Sequence, residues 1–154
     1  MRALVWIVEE TRPTTVAAAA GFLPADADVT LLHVRASDTE ELARGARYAL
    51  LGRPRRPTAE PLETLSEQGA RELLAEAQTA LGRDAVLDAR CGRIEHEVIT
   101  AAETMDLLVF ARDKDRTHPG PRSLGPAARY VVDRAPCAVL LVWPDAPPDE
   151  QPRH

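Results

Sequence analysis

The chain has 154 residues, 45% apolar and 28% charged, with a formal net charge of −5. That length suits one domain around one core, and the acidic balance argues against a nucleic-acid surface. Aromatic residues make up only 4%, so the core must be built from Ala, Val, Leu and Ile.

No run approaches the ~20 continuous apolar residues of a transmembrane helix, so no membrane partner is expected. The N-terminus, MRALVWIVEE, turns acidic before a signal-peptide core could form, which reads as cytoplasmic. Cys91 and Cys137 form no CxxC pair and read as reduced and buried. His33, His96, His118 and His154 show no metal-ligand spacing with cysteine or carboxylates, so no metal site is expected. Lys114 is the only lysine. Beside so many Ala and Pro, the arginine excess reads as genome composition bias.

Ala3–Val8 (ALVWIV) is a short apolar run with β-branched residues, as in a strand buried on both faces. Pro13 opens an alanine-rich helix, where proline is tolerated, and that helix ends near Gly21. Asp28–Val34 (DVTLLHV) is the second strand. Glu40–Leu51 has helical spacing through Leu42, Ala46, Ala49 and Leu50, with Gly52 as its stop. Arg53–Pro61 (RPRRPTAEP) has no apolar period and reads as an exposed loop. Leu62–Leu81 is a long amphipathic helix with Leu65, Leu73, Leu74, Ala77 and Leu81 on one side.

Ala85–Arg90 is the third strand, broken by Gly92. Ile94–Met105 is a helix burying Ile94, Val98, Ala101 and Ala102. Leu107–Phe110 is the fourth strand. A polar loop follows, then a helix over Pro126–Arg134 burying Ala127, Ala128, Val131 and Val132. Ala138–Val142 is the fifth strand. The tail, 144–154, is apolar only at Ala146 and reads as disordered, leaving one domain over 1–143. Strands alternating with helices indicate an α/β fold, a parallel sheet with helices on both faces. Ligands in such folds bind beyond the carboxyl ends of the strands, where the winding reverses.

Three segments carry a resemblance. They are LLHV (Leu31–Val34), CGRIEHEVITAAETMDLLVF (Cys91–Phe110) and GPAARYVVDRAPCAVLLV (Gly125–Val142). In this order and spacing the chain resembles the universal stress protein family, from Ala3 to Trp143. The resemblance implies a three-layer, Rossmann-like fold of the adenine nucleotide alpha hydrolase type. Its five strands would run in the order 3-2-1-4-5, with the first beside the fourth. It implies a homodimer, in many members paired through the last strand, here Val139, Leu140, Leu141 and Val142. Some members bind ATP through a loop of form G-x2-G-x9-G-[S/T] after the fourth strand, with an aspartate ending the first. In such a loop the backbone N–H groups cradle phosphates.

This sequence departs from that pattern. The first two glycine slots fall on Ala111 and Lys114 counted from the strand, or on Arg112 and Asp115 counted back from Gly125. Pro126, with neither N–H nor hydroxyl, stands in the Ser/Thr slot. The aspartate slot falls on Val8 or Glu9, and Glu9 could still reach a ribose. The resemblance places Val34, Gly92 and Gly125 at a nucleotide site too. Arg112, Lys114, Arg116 and Arg122 could form a charged cradle instead of a glycine-lined one, and Ser123 could touch an anion or cap the helix. The bland alternative is a solvated loop whose charges pair among themselves.

His118 and the Glu95-His96-Glu97 triplet read as surface, and His33 as the maker of a local hydrogen bond. No nucleophile is paired with a base at a recognisable spacing, so no enzyme is expected. An adenylyl-transferring enzyme would need a glycine-rich or HxGH-like element after the first strand, where Glu9-Glu10-Thr11-Arg12 stands. The favoured reading is a non-catalytic stress-response or regulatory domain. It acts as a homodimer with an unknown protein partner, and its ATP binding is weakened or absent. The alternative is a sensor of ATP or a related phosphorylated ligand that uses the Arg-rich loop.

Overall fold

The computed structural model describes residues 1–37, 62–113 and 124–144. The expected helix over Glu40–Leu51, the loop Arg53–Pro61, the loop cations beyond Arg112 and the tail after Pro144 lie outside the described residues.

Five strands form one parallel sheet: β1 (Arg2–Trp6), β2 (Asp28–Ala36), β3 (Val86–Gly92), β4 (Leu107–Ala111) and β5 (Ala138–Val142). Their order is β3-β2-β1-β4-β5, as expected. β1 is the central strand, pairing Val5 with Leu31 on one side and with Val109 on the other. Its continuous apolar run exists because both faces are covered. Ala3, Val5 and Ile7 join Val16, Ala19, Leu73, Leu74 and Ala77 in one core, under α1 (Arg12–Phe22) and α2 (Leu62–Leu81). Leu4 and Trp6 join Val98, Ala102, Phe110, Ala128 and Val131 in the other, under α3 (Ile94–Ala102) and α4 (Pro126–Arg134). The Trp6 and Phe110 rings meet there with centroids 5.1 Å apart.

Several boundaries differ from the sequence reading. β1 ends at Trp6, not Val8, because the chain turns into a short 3-10 helix over Glu9–Thr11 before α1. Ile7 still donates its N–H to Leu32 at 2.7 Å. β3 runs to Gly92, which pairs with Ala36 instead of breaking the strand. α3 stops at Ala102 rather than Met105 and leaves Ile94 half-buried. α4 buries Ala128 and Val131, but Ala127 is half-buried and Val132 is 40% exposed, so its buried stripe is narrower than expected. The α2 stripe holds at Leu73, Leu74, Ala77 and Leu81, with Ala70 added, while the Leu65 side chain lies outside the described residues. Gly82, at φ +73°, closes α2 by donating its N–H to the Gln78 carbonyl, a backbone turn that glycine makes without a Cβ penalty.

The amino-terminal end of the sheet is tied by side chains. The Arg83 guanidinium donates to the carbonyls of Pro24, Ala25 and Ala27 at 2.7–2.8 Å. Asp106 accepts the Arg2 backbone N–H at 2.7 Å. Among the described residues no helix is long and apolar enough to cross a membrane.

Candidate functional site

The winding reverses between β1 and β4, since β2 and β3 lie to one side and β5 to the other. The crevice beyond their carboxyl ends is therefore where this fold would hold a ligand. Val8 and Glu9 leave β1 there, Ala111 ends β4, and Gly125 is the N-cap of α4. Val34 rises from the neighbouring β2.

These residues differ in what they offer. Val34 and Ala111 are each 5% exposed, and Val8 packs on the core beneath α3 and α4. Apart from their backbones, they supply an apolar wall. Glu9 is exposed. Gly92 lies apart: β2 and β1 separate β3 from β4, about 14 Å at the usual strand spacing. An added Cβ on Gly92 would stand 3.0 Å from Glu97 Oε1, so its bareness accommodates the Glu97 side chain. Glu97 in turn pairs with Arg90, which also pairs with Asp88 at 3.0 Å.

Arg112 points toward the sheet edge. Its N–H donates to Val142 at 2.8 Å, and its guanidinium sits 4.3 Å from the Trp143 ring centre. Lys114, Arg122 and Ser123 lie outside the described residues. The N-terminus of α4 has an internal partner: the Gly125 N–H donates to the Asp113 carboxylate. A Cβ on Gly125 would crowd that carboxylate oxygen, the mobile end of the Asp113 side chain. Pro126 follows as the first helical residue and has no N–H. In sequence Asp113 is one acidic residue between Arg112 and Lys114. Its contact spans twelve residues, and no local pattern announces it.

Arg35 is another residue the sequence reading passed over. It stands next to last in β2 on the α2 side, donates to Ser66 Oγ at 3.3 Å, and its buried Nε has no partner among the described residues. His33 sits within β2, not at its end, and its bond is not local. Its Nδ1 lies 2.8 Å from the Ile7 carbonyl oxygen and must donate to it.

The Glu95–Glu97 surface is less solvated than expected. Glu95 is ion-paired with Arg93, and its side chain is only 15% exposed. Burial pushes the Glu95 carboxyl up, but its own backbone amide, Arg93 and His96 together hold it below the usual range. His96 stacks on Tyr130 with centroids 5.5 Å apart, and Arg134 lies over the same ring. Cys91 is exposed rather than buried, because β3 is an edge strand, and Cys137 is half-buried. Burial, aided by the charge of Asp106, pushes the Cys137 thiol up.

The family model described as the universal stress protein family matches residues 8–142. The fold is similar to that of the hypothetical protein MJ0577, with a TM-score of 0.64, 17% identity, and 95% of this chain and 97% of that one covered. A universal stress protein in complex with cAMP gives a TM-score of 0.61 at 16% identity, covering 94% and 98%. An Arabidopsis thaliana universal stress protein family member with AMP bound gives 0.53 at 16%, covering 97% of each chain. No curated protein matches the chain in sequence.

Proposed function

The chain belongs to the universal stress protein family, and from that premise we propose that it is a non-catalytic stress-response or regulatory domain, acting in the cytoplasm as a homodimer and binding ATP weakly or not at all. The N-terminus of α4 carries the reading on ATP. Its first two positions offer a ligand no free donor: the Gly125 N–H is given to Asp113, and Pro126 has none. A phosphate seat at a helix N-terminus works through such donors.

β5 supports the reading as a dimer. It is a sheet edge, and Val139, Leu140, Leu141 and Val142 along it are only half-buried. An apolar edge invites strand pairing, and the same strand of a second copy would cover it with two-fold symmetry. Sedimentation velocity of the full chain tests this. The expected species has twice the 16.8 kDa monomer mass, with or without Mg–ATP. A monodisperse monomer contradicts it.

A second reading is a nucleotide sensor, and the cAMP and AMP complexes of two structural neighbours favour it. A monophosphate needs fewer donors than a triphosphate, and the N–H groups of Ala127 and Ala128 belong to the same first turn. Micromolar binding of AMP that Arg122→Ala abolishes is the outcome specific to this reading.

A further inference from the structure

We propose that Asp113 is an autoinhibitory anion: its carboxylate holds the phosphate end of the crevice, so that phosphorylated ligands are kept out by a displaceable internal charge rather than by loss of the seat. The inference rests on the reading of the β1–β4 crevice as a weakened nucleotide site and assigns the displaceable part of that weakening to one residue.

Three features support it. The carboxylate accepts the N–H of the helix N-cap, Gly125, which is the kind of bond a phosphate oxygen accepts at a helix start. The absent Cβ of Gly125 leaves that oxygen room beside the N–H. Asp113 also stands two residues beyond the end of β4, tethered beside the N–H that donates to it. A tethered group competes at an effective concentration of about millimolar, which a free nucleotide must exceed. A proline at the first helical position removes a donor permanently, whereas a carboxylate can be displaced.

The test is calorimetric titration of the full chain and of its Asp113→Asn and Asp113→Ala variants with AMP, adenosine and inorganic phosphate, beside thermal melts of each. Asparagine keeps a capping oxygen without the charge, so it remains informative if the alanine variant folds poorly. The expected result is AMP binding about tenfold tighter or more in the variants than in the unaltered chain, the scale of one charge-assisted hydrogen bond. Adenosine affinity should not change, and inorganic phosphate should compete with AMP. Weak binding by the unaltered chain and by both folded variants overturns the role of Asp113 and leaves the weak-binding reading standing. An equal gain for adenosine overturns it too. Micromolar AMP binding by the unaltered chain overturns the weak-binding reading itself.

Discussion

The Arg112 guanidinium lies 4.3 Å from the centre of the Trp143 ring, while the Arg112 N–H bonds to Val142 at 2.8 Å. Together these contacts carry the β4–β5 ladder past its last strand pair, Ala111 with Val142. The first cation after β4 thereby braces the edge strand. A cation over an indole contributes about 0.5–1 kcal/mol at an exposed site. Trp143→Ala should therefore lower the melting temperature by about 1–4 °C. Arg112→Ala should add little more in the double variant, and fully additive losses would show that the stack carries no coupling.

A larger effect is expected in the core. Phe110 is 2% exposed and packs on Trp6. Replacing it with alanine should cost about 3–5 kcal/mol, through lost burial and the cavity left behind. Urea unfolding of the two proteins measures the difference. A loss below about 1 kcal/mol would mean that this core refills far more readily than most.

Acid should weaken the tie between Arg2 and Asp106. The Arg2 backbone N–H first, and its guanidinium second, hold the Asp106 carboxyl below its usual value of 3.8. A depressed carboxyl adds stability that is complete above the unfolded value and lost as the pH falls through the folded one. Asp106→Asn should thus lower the melting temperature near neutral pH, with the two curves converging below about pH 4. A constant gap across that range contradicts the assignment.

The cysteines should separate by reactivity. Cys91 is exposed, whereas Cys137 is half-buried with its thiol pushed up, and the thiolate is the reactive form. Maleimide labelling of the folded chain near neutral pH should modify Cys91 first, and Cys91→Ser should leave only slow labelling until urea is added. Faster labelling of Cys137 would contradict its placement.

The central strands were legible because burial on both faces leaves an unbroken apolar run, as in Leu4, Val5 and Trp6. The edges were harder. Val86 and Leu87 are 64% and 41% exposed, so apolar character there did not fix the limits of β3. Gly92 reads as a breaker, yet it completes a ladder and makes room for Glu97. At the site, the sequence shows that Pro126 removes a donor, because that depends on one residue type. It does not show Asp113 on Gly125 or Arg112 on Trp143. Those contacts depend on how separate segments return to the same end of the sheet.

The central proposal is that the arrangement at Gly125 and Pro126 closes the phosphate end of the crevice to ATP. Calorimetric titration of the unaltered full chain with Mg–ATP measures this most directly. No saturable binding in the micromolar range is expected. A micromolar dissociation constant, with heat that saturates at one ATP per chain, would contradict it.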